Sequence, residues 1–239
     1  NGAVENAFTS GSMTAYYFES TEHFYENLRI LLDFVSVPWF TEESVAKEQG
    51  IIAQEIRMTE DDPEWRVYAN LMECLYRESP VKVPVAGTVE SIQQITPQVL
   101  YDCHRAFYTP GNMVLVCVGD VEMEKVAAIA EEILPAERGE DIPRDYGREE
   151  DPVPCCKEKE LAMEVSMPQF LGGYKCRPCG GGEELLRRSI IGDMACDVLF
   201  GDSSPLYARL YEAGEINGSL GGNFDIMPGA SYLYVGGDA

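Results

Sequence analysis

Between Pro135 and Pro154 the chain carries four prolines, Pro135, Pro143, Pro152 and Pro154, in a run dense with charge. Proline fixes φ and lacks an amide donor, so neither a helix interior nor a central strand passes through such a stretch. Any core must form on either side of it. Residues 136–160 therefore read as a linker between a first segment, 1–135, and a second, 161–239. The second segment has only about 80 residues and an unfinished pattern, which reads as a truncated domain.

The first segment mixes strands and helices. Met13–Ser20 (MTAYYFES) has strand composition. Thr21 is placed to cap a helix running to Val37, with Phe24, Leu28, Leu31, Leu32 and Val35 on one face. A helix over Thr41–Glu60 must stop before Pro63, and Asp62-Pro63 opens the next one. Thr96-Pro97 opens another, ending near Tyr108. Behind the turn at Thr109–Asn112, Met113–Val121 (MVLVCVGDV) reads as a buried strand, and Val126, Ile129, Ala130 and Ile133 mark a helix ending at Pro135. In the second segment, Leu161–Met167 alternates like a strand. Glu183–Phe200 reads as a helix, Ser204-Pro205 opens a short helix ending at Gly214, and Ser231–Gly237 reads as a strand. The fold class is α+β, with helices layered on an antiparallel sheet.

The helix over residues 41–60 has an unusual face. At about 100° per residue, Glu48 and Glu55 fall within about 20° of each other. Val45, Ile51, Ile52, Ile56 and Met58 surround them within about 80°. A carboxylate in an apolar stripe must be paired, hydrogen-bonded, protonated or metal-bound. Two readings stand open: buried ion pairs with Arg57, Arg66 or Arg105, or a functional site. One carboxylate cannot hold a catalytic zinc, which takes about three protein ligands.

Composition narrows the classes. A formal charge of −23 argues against nucleic-acid binding through phosphates and favours cationic partners. Met113–Val118, the longest apolar run, is too short to span a membrane, so no membrane partner is expected. No secretory leader pattern opens the sequence, and a cytoplasmic setting with reduced thiols is the expectation. Among eight cysteines, Cys74, Cys103, Cys117 and Cys196 read as small apolar fillers. Cys155-Cys156 with Cys176-Arg-Pro-Cys179 could build a four-thiolate zinc site, although adjacent cysteines are poor zinc-ribbon spacing and free thiols are the favoured reading. His23 reads as a rim residue and His104 has no partner set. No nucleophile elbow or phosphate-binding loop occurs.

Several stretches, taken together and in order, resemble the M16 metallopeptidases (insulinase, pitrilysin and mitochondrial processing peptidase). The opening GAVENAFTSGSMTAYYF is similar to the strand segment after that family's zinc helix. KEQGIIAQEI at 47–56 is similar to the later helix of the site. PEWR at 63–66, PVAGTVESI at 84–92 and FYTPGNMVLVCVGD at 107–120 continue the likeness across nearly all of residues 1–135. From Pro168 on, the chain resembles the second domain of bacterial two-domain members, especially the YmfH-like branch.

The resemblance implies a LuxS/MPP-like metallohydrolase fold and a zinc endopeptidase that cleaves short unfolded peptides inside a two-domain chamber. It implies that Glu55 is the third zinc ligand and Glu48 an auxiliary glutamate supporting the site. It also implies that Asn6, Ala7, Phe8 and Thr9 form an edge strand holding substrate in extended form. The family's His-x-x-Glu-His motif, whose glutamate activates water for attack on a peptide carbonyl, is absent from these 239 residues. The expectation is an internal fragment that binds zinc poorly and hydrolyses nothing. The positions matching a substrate-clamping Arg/Tyr pair look like Tyr211 and Asn217, so that role is not carried over. The alternative is a non-catalytic homologue acting as scaffold or partner to a second M16-type subunit.

Overall fold

The structure, a computed structural model, describes residues 2–140 and 142–238. Two compact units make up the chain: Asn1–Ala53 with Thr88–Arg144, and Gln54–Gly87 with Asp145–Ala239. These boundaries divide the chain differently from the sequence segments 1–135, 136–160 and 161–239. Residues 54–87 fold with the later half, and the proline-rich stretch is split after Arg144.

In the first unit, β1 (Ala3–Thr9) and β2 (Thr14–Ser20) form an antiparallel hairpin in register from Ala3↔Ser20 to Thr9↔Thr14. Helix α1 (Phe24–Ser36) begins later than the sequence suggested. His23, in the left-handed region at φ 57°, takes the N-cap position instead of Thr21, and its side chain makes no capping bond. The expected apolar face holds: Leu28, Leu32 and Val35 are buried. Leu28 and Leu32 pack on Val126 and Ile129 of α6 (Met123–Ile133), closed over by Phe18, Phe24 and Tyr25. This apolar contact holds the pair. The exposed Arg29–Glu132 ion pair, at 2.8 Å, is solvent-screened and adds little.

The short helix α4 (Val89–Ile92) starts at a reciprocal capping box between Thr88 and Ser91, and α5 (Pro97–Phe107) starts where expected, with Thr96 accepting from the Val99 amide at 3.3 Å. The expected strand over Met113–Val121 is not formed. Among the described residues it has no ladder partner, and Val114, Val116 and Val118 are largely exposed. Alternation still operates, because Cys117 and Val121 pack on the α1–α6 core. A strand, however, needs a neighbour for its amides, and none is supplied here.

The second unit contains an antiparallel sheet in the order β3-β5-β4, with β3 at Gln169–Cys176, β4 at Gly221–Met227 and β5 at Ala230–Asp238. Strand β5 lies where the sequence placed it. Strand β3 does not: Leu161–Met167 is irregular, and pairing begins at Gln169. Helix α3 (Pro63–Leu75), capped by Asp62, lies against β3, and an added Cβ on Gly173 would fall 2.6 Å from Leu71 Cδ1. Helix α7 (Glu183–Phe200) lies against β4, with Gly192 under the Phe224 ring. Helix α8 (Pro205–Glu212) is capped by Ser204 as expected. The core joins Leu71, Met72, Leu75 and Tyr76 of the α3 end to Ala230 and Tyr232 of β5. That shared core explains why residues 54–87 belong to this unit.

The proline-rich stretch has no helix or strand among its described residues, but it is not a free connector. Arg144 donates to Asn112 Oδ1 in the first unit. In the second, Glu150 accepts from the backbone amides of Arg77, Glu78 and Ser79.

Candidate functional site

Helix α2 spans Glu42–Glu60. Thr41 caps it reciprocally with Ser44: each side-chain oxygen accepts from the other residue's amide, at 3.1 and 3.0 Å. Val45, Ala53 and Ile56 are buried, and Gln49 and Ile52 are half-buried. Gln49 donates from Nε2 to the carbonyls of Ile92 and Ile95, each at 2.9 Å. The covered side of α2 is therefore centred roughly 60–100° around from Glu48.

This corrects the expectation that Glu48 and Glu55 are buried: both are exposed. The apolar stripe is wider than the surface available to cover it, and the half containing Ile51 and Met58 stays open, with those two residues 42% and 65% exposed. Glu48, Ile51, Glu55 and Met58, at spacings of three, four and three, thus form one open flank of the helix. The buried ion-pair reading is also set aside. Among the described residues neither carboxylate has a hydrogen bond or ion pair, and Arg105 is engaged by Asp102 at 3.0 Å.

Strand β1 carries Asn6, Ala7, Phe8 and Thr9, all exposed. One edge of β1 pairs with β2, and among the described residues the other edge has no partner. Phe8 is half-exposed and packs edge-on against Tyr17, and Asn6 Oδ1 accepts from the Ala7 amide. An open edge of this kind pairs with an extended peptide through main-chain bonds.

The histidines serve structure. His104 Nε2 bonds to the Val35 carbonyl at 2.8 Å, with its ring stacked on Tyr108, and His23 faces Glu26 at 4.0 Å. The four-thiolate reading of Cys155, Cys156, Cys176 and Cys179 gains no support from the structure. Among the described residues no group of three or more His, Cys, Asp or Glu side chains is placed to hold a metal. Cys156 instead faces Cys74, which the sequence marked only as an apolar filler. Glu55, an uncommitted exposed carboxylate, has the right chemistry for a single zinc ligand. The donor set that these residues provide does not amount to a zinc site on its own, so no catalytic step is derived from it.

Comparison with known proteins divides the chain at a different place, between residues 89 and 94. The family profile for insulinase (peptidase family M16) matches residues 1–89, and that for the peptidase M16 inactive domain matches residues 94–239. An uncharacterised zinc protease of Bacillus subtilis, YmfH, is 42% identical over 241 residues, covering 99% of this chain and 56% of its own. A crystal structure of an M16-like peptidase from Alicyclobacillus acidocaldarius superposes with a TM-score of 0.90 at 35% identity, over 100% of this chain and 57% of that one. A protease from Helicobacter pylori shares the fold, with a TM-score of 0.85 at 21% identity, and is matched over 58% of its length. The chain thus spans a little over half the length of these relatives.

Proposed function

Since this chain belongs to the M16 peptidase family, with the α+β fold of its relatives, we propose that it supplies one flank of the zinc centre of a two-domain endopeptidase acting on short unfolded peptides. Glu55 is the zinc ligand from this flank, Glu48 supports the site, and the open edge of Asn6–Thr9 holds the substrate in extended form. Residues 1–135 and 161–239 are then parts of the two peptidase domains, joined through 136–160, in a cytoplasmic protein. Taken alone, the 239 residues are inactive. The observation that carries this reading is the open flank of α2, where two unpartnered carboxylates stand beside two exposed apolar side chains.

The test uses a longer version of the protein that carries the whole two-domain fold. Zinc content by mass spectrometry and cleavage of an unstructured fluorogenic peptide are measured for Glu55→Gln and Glu48→Gln. Glu55→Gln is expected to lose both metal and turnover. Glu48→Gln is expected to keep most of the metal and to lose turnover by about 10–100-fold, as supporting residues of metal sites do. Unchanged zinc and unchanged cleavage in Glu55→Gln would remove Glu55 from the site.

A second reading, that of a non-catalytic partner or scaffold working with another M16-type subunit, is favoured by the match of residues 94–239 to the inactive-domain profile. In that case the longer protein neither binds zinc stoichiometrically nor cleaves the peptide, whichever glutamate is present.

A further inference from the structure

Cys74 and Cys156 stand 82 residues apart in sequence, yet their Sγ atoms are 2.8 Å apart. A disulfide bond is about 2.04 Å long, so the sulfurs are within about 0.8 Å of bonding distance. The backbone brings them there. Cys74 is the penultimate residue of α3, and its carbonyl accepts from the amides of Cys155 at 2.8 Å and Cys156 at 3.2 Å. Cys155 Sγ turns aside to the Glu73 carbonyl at 3.4 Å, and the Lys159 ammonium pairs with the Glu73 carboxylate. These contacts seat residues 155–159 on the last turn of α3. All three thiols are free and half-buried, within reach of a small reagent.

We propose that Cys74 and Cys156 form an oxidisable pair, which a low-molecular-weight disulfide converts to a bond stapling the end of the proline-rich stretch to α3. The contact geometry selects Cys156 over its neighbour, because the Cys155 sulfur points to Glu73. In the first step the Cys156 thiolate attacks one sulfur of the small disulfide, forming a mixed disulfide and releasing one small thiolate. Cys74 then gives its proton to water and attacks the Cys156 sulfur, and the second small thiolate leaves. Two protein thiols are oxidised, one small disulfide is reduced to two thiols, and the released protons end on those thiols. Burial, reinforced by the Cys156 sulfur beside it, pushes the Cys74 thiol up to about 12, against a smaller opposing pull from Lys159. The second step speeds up as pH rises.

The test takes the 239-residue chain, fully reduced, and equilibrates it with oxidised glutathione before alkylation and peptide mapping by mass spectrometry. The expected result is a cross-link between Cys74 and Cys156, with alkylatable thiols falling from eight to six. The accompanying rise in Tm is on the order of 10 °C for a loop of this length, and dithiothreitol reverses it. Cys155→Ser keeps both effects and Cys156→Ser loses both. A stable mixed disulfide on Cys156, or a bond forming first at Cys155–Cys74 or Cys176–Cys179, overturns the proposal. Mapping of the unsubstituted chain is decisive by itself, so it does not depend on a variant folding.

Discussion

Glu150→Ala is expected to lower the unfolding free energy by about 3–5 kcal/mol, the usual loss when one partner of a buried ion pair is removed. The Glu150 carboxylate accepts from the amides of Arg77 at 2.9 Å, Glu78 at 2.8 Å and Ser79 at 2.6 Å, and from the Lys175 ammonium at 3.1 Å. The two side chains are only 16% and 4% exposed, so the pair is largely shielded from water. Lys175 keeps the Asp151 carbonyl at 2.9 Å and the Tyr76 ring face at 4.7 Å, but its charge is left without a counterion. A domain is stable by about 5–15 kcal/mol in total, so urea unfolding should show a large drop in midpoint. The pH dependence gives a second readout. Burial alone would raise the Glu150 carboxyl, but the three amides and Lys175 outweigh it and hold the group down at about 2, below the ordinary 4.5. A depressed folded-state pKa means the stabilisation is complete above pH 4.5 and is lost as pH falls towards 2, by about 3 kcal/mol for a gap of that size. The variant should lack this part of the acid slope. Identical slopes for variant and parent between pH 4.5 and 2 would show that Glu150 is not held as the structure has it.

Most of the helical framework is legible in the sequence, because its signals are local. Asp62-Pro63, Thr96-Pro97 and Ser204-Pro205 each place a side-chain acceptor and a proline where a helix begins, and each marks a helix start in the structure. The strands are legible only in part. Strand β3 contains Gly172 and Gly173 and little β-branched character, and its partner β5 lies some sixty residues later, so its pairing leaves no local trace. Val114, Val116 and Val118 show the converse: strong strand composition without a neighbour to make a ladder. At the candidate site, the positions of Glu48 and Glu55 on one helix face are legible from the 3.6-residue period. Their exposure is not, because periodicity defines a wide stripe without saying which half is covered. The Cys74–Cys156 approach could not be read at all, since it depends on a chain closure over 82 residues.

Tyr232→Ala is expected to destabilise the second unit by about 3–5 kcal/mol, the range for deleting a fully enclosed aromatic side chain. Tyr232 has no exposed surface. Its ring meets Tyr76 edge-on at 6.1 Å and Tyr234 at 6.2 Å, among Leu71, Met72, Leu75 and Ala230. Its hydroxyl lies 2.5 Å from the Tyr68 hydroxyl, near the Asp225 carboxyl, whose pKa is raised by burial. Tyr232→Phe separates the two contributions. It keeps the ring and leaves the Tyr68 hydroxyl without this partner, a loss of about 1–3 kcal/mol. A larger loss in Tyr232→Ala than in Tyr232→Phe therefore assigns the anchoring to ring packing, and equal losses would assign it to the hydroxyl network. Hydrogen exchange locates the effect. Met72 and Leu75 of α3 share this core with β5 despite more than 150 residues between them, so their amides should lose protection together with those of β5 in Tyr232→Ala. Protection that persists in α3 while β5 opens would mean that the helix is held by contacts other than this core.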